Sequence, residues 1–282
     1  MAIIFKEFHK CVPAIKDRWT PVYLEHGRVE VDDSSVKWVG ADGVVMALPA
    51  ALLSALILGP GTTVTHAAIS MCSRMDLPVV WVGEDGVFFY AFGVTVNEKC
   101  KTTMRHAQLY AEVPSRESIA REMYKIRFGS EDVDVSTKTI EELRGHEGAR
   151  MRDLYQSLAD KNGFFWHGRN ASGRLENLGP RDPLNNMVTI MNHHLYCLCL
   201  SAITTMGFIP ALGFVHVDGK IPFVYDIADL FKREMVLEPA FALYARLLTY
   251  NRDASLQAFK EAAERNKIMR RIPDVLKKLM GV

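Results

Sequence analysis

The sequence predicts an α+β protein: a β-rich, sandwich-like N-terminal domain with one helix, followed by an all-α-helical domain. In the first third, short β-branched and apolar runs alternate with Gly- and Asp-containing turns, which is typical of strands. Beyond about residue 100, apolar residues recur at a spacing of three and four, which indicates amphipathic helices. We expect a β-rich domain at 1–96, a polar linker at 97–102 and a helical domain at 103–282.

Within the first domain, turn sequences separate seven candidate strands. The clearest are Gly40-Ala41-Asp42-Gly43 and Gly59-Pro60-Gly61, because glycine and proline favour turn conformations. One helix interrupts the strands at 66–74, and Thr65 is suited to cap its N-terminus. The predicted strands are 20–24, 28–31, 35–39, 43–48, 53–58, 78–82 and 87–92.

The remainder of the chain is predicted to be helical, apart from one long loop. Residues 163–181 are rich in Gly, Asn and Arg and lack periodicity, which is typical of a functional or mobile loop. Pro183 suits the first turn of the helix that follows, where its missing N–H costs nothing. The predicted helices are 103–111, 116–128, 137–160, 183–206, 227–233, 239–248 and 253–280.

Bulk composition is that of a soluble protein in a reducing cytoplasm. The N-terminus lacks a signal-peptide pattern, and the most apolar segment, 44–58, is too short to span a bilayer, so we expect no membrane association. Five cysteines without zinc-type spacing fit a reducing compartment, and the Cys197–Cys199 pair suits core packing. A formal net charge of +1 neither supports nor excludes a nucleic-acid partner.

Basic residues nevertheless cluster locally. Each could simply belong to a solvated helix face, but several near the candidate site favour a polyanionic substrate. Those near the site are Arg144, Arg150, Arg152, Arg169, Arg174 and Arg181. Those near the C-terminus are Lys260, Arg265, Lys267, Arg270, Arg271, Lys277 and Lys278.

Glu147 is the most informative residue, because it falls on the apolar stripe of the helix predicted at 137–160. A carboxylate turned toward a core is costly unless it is paired or binds a metal ion. One explanation is an ion pair with Arg144 or Arg150, which flank it at helical spacing. The other is a functional carboxylate.

His216, Asp226 and Asp229 are the other candidate site residues. His216 closes an apolar, strand-like run and could be a hydrogen-bonded core histidine; the two aspartates could cap a helix start. Taken with Glu147, they offer one imidazole and several carboxylates, which suit Mn²⁺ or Mg²⁺ better than zinc or iron. A hard cation among arginines favours metal-dependent phosphoryl transfer.

Three site segments, in this order, resemble the CRISPR-associated adaptation integrase, the spacer-acquisition endonuclease, in its type I-E form. They are Leu143-Arg144-Gly145-His146-Glu147-Gly148, Gly213-Phe214-Val215-His216 and Phe223-Val224-Tyr225-Asp226-Ile227-Ala228-Asp229. The N-terminal half is similar too, through residues 61–68 and 80–84. The likeness covers nearly the whole chain.

The resemblance implies that Glu147, His216 and Asp229 ligate Mn²⁺ or Mg²⁺, with Asp226 as a further functional acid and Tyr196 near the site. It implies that the protein forms homodimers through its N-terminal domain. A dimer of a small companion protein would bridge two of these homodimers. This assembly would insert short DNA duplexes into a CRISPR array by 3′-hydroxyl attack on phosphodiesters at the repeat ends. Two alternatives are a structure-selective nuclease acting on branched DNA and a non-catalytic scaffold that binds DNA ends.

Overall fold

The structure is a computed structural model that describes residues 18, 21–32, 35–83, 89–93, 100–129, 133–166 and 182–282. Most of the loop predicted at 163–181, with Arg169, Arg174 and Arg181, lies outside these residues, as do Cys11 and the ends of two predicted strands. A strand-bearing N-terminal region is followed by a mostly helical one, which confirms the predicted fold class.

The chain divides into two compact units. The first comprises Met1–Thr103, Cys197–Phe208 and Lys267–Val275, and the second comprises Met104–Tyr196, Ile209–Asn266 and Leu276–Val282. These units are discontinuous in sequence, and the predicted domain boundaries at 96 and 103 stay a prediction.

Eight strands form two four-stranded sheets in the described part of the first unit. They are β1 (Val22–Leu24), β2 (Gly27–Asp32), β3 (Ser35–Gly40), β4 (Val45–Leu48), β5 (Leu56–Leu58), β6 (Thr62–Val64), β7 (Val79–Val82) and β8 (Phe89–Gly93). One sheet has the order β1-β5-β7-β8, with only β8 antiparallel to its neighbour. The other has the order β4-β3-β2-β6, with only β6 parallel to its neighbour.

Both sheets contribute to one hydrophobic cluster. Leu56 and Leu58 of the first sheet are buried in it with Val29 and Val36 of the second. Ala68 and Cys72 of helix α1 (His66–Arg74) join the same cluster. The Thr65 side chain accepts a hydrogen bond from the Ala68 N–H, which confirms the predicted N-cap. Because apolar side chains of both sheets are buried in one cluster, the hydrophobic effect stabilises the sandwich-like arrangement.

The helical part contains eight further α-helices and one π-helical turn among the described residues. They are α2 (Cys100–Ala111), α3 (Val113–Phe128), α4 (Ile140–Lys161), α5 (Pro183–Thr205), α6 (Pro222–Asp229), the π-helix Arg233–Leu237, α7 (Glu238–Leu247), α8 (Arg252–Arg265) and α9 (Ile268–Met280).

Two local predictions are wrong, and one strand was not predicted. The helix expected at 227–233 begins instead at Pro222, which occupies its first turn. The single helix expected at 253–280 is two, since Lys267 adopts a positive φ of 49° that no α-helix continues through. Strand β6 has only three residues, too few for an alternating pattern to reveal.

Helix α5 is long and apolar enough to cross a membrane by length and composition, yet 78% of its most apolar window is buried within the protein. Cys197 and Cys199 lie on this helix, are buried and form no disulfide. Both side chains are almost fully buried, so they pack as small apolar side chains, and burial raises the pKa of the Cys197 thiol.

Candidate functional site

The site residues described here lie in the second compact unit: on α3, α4 and α6, in the turn before α6, at Lys232 just after α6, and at Tyr196 of α5. Helix α4 starts with a capping box: the Glu142 N–H donates to Thr139 Oγ1 at 3.2 Å, and the Thr139 N–H donates to the Glu142 carboxylate at 2.7 Å. This fixes the helix start and therefore the face on which Glu147 lies.

Arg127, on α3, joins two of the predicted site carboxylates. Its Nη1 donates to Glu147 Oε2 at 2.7 Å, and its Nη2 donates to Asp229 Oδ2 at 2.8 Å. Lys232 Nζ contacts the other Asp229 oxygen at 3.2 Å. The guanidinium side chain is only 2% exposed, so the structure buries a cation between two acids from different helices.

The ion pairs considered for Glu147 within its own helix are therefore wrong. Arg144 instead donates from Nη2 to the Val215 carbonyl at 2.6 Å. The Arg150 guanidinium lies over the Phe128 ring, 5.9 Å from its centroid. Glu147 therefore pairs with Arg127 of α3 rather than with either arginine of its own helix.

His216 is hydrogen-bonded but is not a core residue, since its side chain is 39% exposed. Its Nδ1 lies 2.7 Å from Asp226 Oδ1, and its Nε2 lies 3.8 Å from Asp229 Oδ2. A carboxylate accepts hydrogen bonds, so Nδ1 carries the proton and Nε2 presents a lone pair in the neutral ring. That tautomer is the one a metal-ligating histidine uses.

Asp226 lies behind His216 and is 0% exposed. It accepts hydrogen bonds from the backbone N–H groups of Phe214 at 2.5 Å, Val215 at 3.1 Å and His216 at 2.8 Å. The strand-like run ending at His216 is in fact a turn, whose N–H groups this carboxylate satisfies. Asp226 therefore positions the turn and the imidazole together.

Asp226 and Asp229 do not lie at a helix start, so the capping explanation offered for them is wrong. Both lie in the last turn of α6, where the helix dipole does not favour a negative charge. Their charges are stabilised instead by the turn N–H groups for Asp226 and by Arg127 and Lys232 for Asp229.

Gly213 allows this turn to close. A Cβ at position 213 would lie 2.2 Å from the His216 carbonyl oxygen and 2.8 Å from Pro222 Cβ. Both distances are far below van der Waals contact, and the nearest atom is backbone, so no larger residue fits here.

Tyr196, on α5, and His216 both contact the ring of Tyr225. The Tyr196 ring centroid lies 5.1 Å from that of Tyr225, and the Tyr225 centroid lies 6.0 Å from the His216 centroid, both edge-to-face. Burial, with a smaller contribution from Tyr196, raises the pKa of Tyr225. Tyr225 thus links Tyr196 to His216, and a role for Tyr196 in the site stays a prediction.

The two bridged carboxylates differ in their protonation equilibria. Burial raises the pKa of Glu147, and this outweighs the opposing charge of Arg127. Burial also acts to raise the pKa of Asp229, but Lys232, Arg127 and His216 outweigh it, and the net pKa is lowered. Asp229 is therefore the more firmly ionised of the pair.

The donor chemistry fits a hard divalent cation, although the side chains are not gathered around one point. Among the described residues, no group of three or more His, Cys, Asp and Glu side chains is arranged to hold an ion. Arg127 lies between the Glu147 and Asp229 carboxylates and holds both. Joint coordination with His216 would need both carboxylates to turn from Arg127, whereas the His216 tautomer already suits a ligand role.

Arg127 and Lys232 were not among the predicted site residues. The sequence does contain a signal for Arg127, because at helical spacing it lies on the same face of α3 as the apolar residues Met123, Tyr124 and Phe128. All three of these residues are buried. A cation on such a face needs an anionic partner, just as Glu147 needs a cationic one. Which partner it takes depends on helix packing.

Comparisons with known proteins agree on one family. The family model described as CRISPR associated protein Cas1 matches residues 125–264, which include Arg127, Glu147, His216 and Asp229. A CRISPR-associated endonuclease Cas1 2 of Chlorobaculum tepidum is 36% identical over 249 residues, covering 88% of this chain and 82% of the relative. The CRISPR-associated endonuclease Cas1 of Escherichia coli is 33% identical over 232 residues, covering 82% and 75%.

A solved structure is similar over almost the whole chain. The crystal structure of the TtCas1–DNA complex superposes with a TM-score of 0.81 at 31% identity, covering 93% of this chain and 91% of that one. The resemblance deduced from the three site segments is confirmed at the level of the family, and the chain belongs to the CRISPR associated protein Cas1 family.

Proposed function

We propose that this protein is a divalent-metal-dependent DNA endonuclease and integrase of CRISPR adaptation. The observation that carries the proposal is the convergence of Glu147 and Asp229 on Arg127, with His216 Nε2 facing Asp229. These residues come from separate elements, and a 39% exposed imidazole lies beside two partly buried acids, an arrangement that is common at functional sites.

Glu147, His216 and Asp229 are the proposed ligands of Mn²⁺ or Mg²⁺. When bound, the ion supplies Lewis-acid polarisation of a phosphoryl oxygen and lowers the pKa of the attacking 3′ hydroxyl. Asp226 keeps His216 in the tautomer whose Nε2 can act as a ligand. Because the nucleophile belongs to the incoming DNA, no protein nucleophile is needed.

Arg127 and Lys232 have a second role in this proposal. Both cations already contact Asp229, at 2.8 Å and 3.2 Å, so their positive charge lies directly beside the acids that a bound phosphate would approach. Fixed positive charge at this position stabilises the negative charge that develops during phosphoryl transfer.

The proposed substrates and partners follow from the family. A solved relative is a complex of TtCas1 with DNA, and we propose a short DNA duplex and the CRISPR repeat as the substrates of this chain. We further propose a type I-E protein that forms homodimers through its N-terminal domain, assembles with a small companion adaptation protein and works in the cytoplasm.

A strand-joining assay tests the proposal. The protein and its companion are incubated with a labelled short duplex, a supercoiled array plasmid and Mn²⁺, and covalent joining is measured. Asp229→Asn and Glu147→Gln should each reduce joining by about a hundredfold or more, and chelation should abolish it. Asp253→Asn, an exposed acid in the first turn of α8, is the matched control and should join normally.

The same assay separates the alternatives. Metal-dependent hydrolysis of branched DNA without joining would identify a structure-selective nuclease. DNA-end binding that is insensitive to chelator, with neither cleavage nor joining under any metal, would identify a scaffold. Joining by Asp229→Asn at the wild-type rate would refute the site itself.

A further inference from the structure

His106, on α2, is a fully buried histidine outside the proposed metal site. The Ile209 N–H donates to its Nδ1 at 3.1 Å, and its Nε2 lies 2.9 Å from the Leu212 carbonyl oxygen. A backbone N–H only donates and a carbonyl only accepts, so Nδ1 holds a lone pair and Nε2 a proton. One neutral tautomer satisfies both backbone groups.

The ring also packs against the segment that follows Leu212. It stacks on Phe214, with centroids 5.4 Å apart and an interplanar angle of 18°. It lies 4.5 Å from the ring of Phe223 in α6. His106 thus contacts the turn by two hydrogen bonds and one ring stack, all from the α2 side.

Residues 208–217 contain no regular strand or helix, so their backbone groups depend on such contacts for a defined position. His106 holds Ile209, Leu212 and Phe214, while Asp226 takes the N–H groups from Phe214 to His216. Phe214 is therefore held by two contacts: its ring stacks on His106, and its backbone N–H donates to the Asp226 carboxylate.

We propose that His106 is a positioning residue for the metal site: it fixes residues 209–214 so that the following His216 presents Nε2 toward Asp229. The inference rests on the proposed function in so far as His216 is a metal ligand. Loss of the two hydrogen bonds leaves a partly buried N–H and a partly buried carbonyl without their side-chain partner, which favours displacement of the segment. His216, two residues beyond Phe214, moves with it.

Two substitutions at position 106 separate the bonds from the packing. His106→Phe keeps a ring between Phe214 and Phe223 but removes both hydrogen bonds, whereas His106→Gln keeps a donor and an acceptor. Thr103→Val is the matched control, because it removes a 2.6 Å hydrogen bond from the same helix to the Gly207 carbonyl, outside residues 209–214.

Two readouts are measured for each variant: Mn²⁺ affinity, from the electron paramagnetic resonance signal of free Mn²⁺, and amide hydrogen exchange in peptides covering residues 209–217. His106→Phe should bind Mn²⁺ about tenfold more weakly, as loss of outer hydrogen bonds to metal ligands does elsewhere, and exchange faster at 214–216. His106→Gln should lie within about threefold of the wild type, and Thr103→Val should match it.

A folded His106→Phe with wild-type Mn²⁺ affinity and wild-type exchange overturns the proposal. If that variant does not fold, His106→Gln decides, because a folded His106→Gln that has lost tenfold or more in affinity contradicts a role for the bonds. If the wild type itself binds no Mn²⁺, the proposed metal site fails. Exchange at 214–216 then still tests whether His106 fixes the turn.

Discussion

Asp226 accepts a hydrogen bond from His216 Nδ1 at 2.7 Å while the carboxylate itself is inaccessible to solvent. Its two oxygens are shared among one ring N–H and three backbone N–H groups. The acid is thereby committed to the turn, and its contribution to the site is the orientation of the imidazole.

We expect Asp226→Asn to destabilise the protein by roughly 3 kcal/mol, because an amide nitrogen would replace an oxygen that accepts from several N–H groups. Equilibrium urea unfolding measures the change. The exposed Asp253→Asn should shift the free energy of unfolding by less than about 0.5 kcal/mol. A loss under about 1 kcal/mol for Asp226→Asn would contradict the role assigned to this acid.

Arg127→Met should destabilise the metal-free protein by about 3–5 kcal/mol, since it leaves two carboxylates without their buried cation. Mn²⁺ should then raise the melting temperature of the variant more than that of the wild type, because the ion neutralises the same acids. Thermal unfolding with and without Mn²⁺ measures both effects. Lys125→Met, which removes an exposed ion pair from the same helix, is the control.

Equal Mn²⁺-induced shifts of the melting temperature in Arg127→Met and wild type would show that the ion does not bind at these acids. A larger shift in Lys125→Met than in Arg127→Met would show the same.

Stability should fall as the pH drops from about 6.5 to about 4, in part because of His106. Burial lowers the pKa of His106 from 6.5 to about 4, so in this range the unfolded chain binds a proton that the folded protein does not. The neutral, buried His106 makes its full contribution to the free energy of unfolding above about pH 6.5. Up to about 3 kcal/mol of this free energy is lost as the pH falls to 4. His193, with its pKa also lowered to about 4 by burial, acts in the same direction.

The measurement is the free energy of unfolding against pH for wild type and His106→Gln. The variant curve should be flatter between pH 4 and about 6.5 by the His106 contribution. His66→Gln, at an exposed histidine of α1, should leave the slope unchanged. Identical slopes for wild type and His106→Gln would contradict the prediction.

Thr139→Ala should cost about 1 kcal/mol, because it removes the side-chain acceptor of the α4 capping box. Thr139→Ser should retain most of that stability, since it keeps the hydroxyl. Urea unfolding compares the two. A Ser variant as unstable as the Ala variant would mean that the threonine methyl, rather than the cap, stabilises this end of the helix.

Helix α4 shows what local sequence can predict. The apolar spacing places it at 137–160, and the structure has Ile140–Lys161, since helical periodicity and the Thr139 cap are both local properties. The same locality explains the error at Glu147. Ion pairs within a helix are visible in the sequence, whereas the contact with Arg127 depends on how α3 and α4 pack.

The turn at 213–216 shows the opposite case. An apolar run of this length is compatible with a buried strand as well as with a turn, and the spacing of apolar residues does not distinguish a strand from a turn. The backbone N–H groups here go to the Asp226 carboxylate instead of a neighbouring strand, and that acceptor lies ten residues further along the chain. Residue type nonetheless predicts that His216, Asp226 and Asp229 act together, and the structure brings the three side chains close to one another, while their roles as site residues stay a prediction.

The tight approach of Gly213 to the His216 carbonyl also limits which amino-acid substitutions the site can accept. Every side chain is excluded at that position by the main chain itself, so no compensating change in a neighbour can make room. A library randomised at codon 213 and selected for spacer acquisition should return glycine alone. Changes in the chemistry of the site would have to arise at other positions, since position 213 cannot vary.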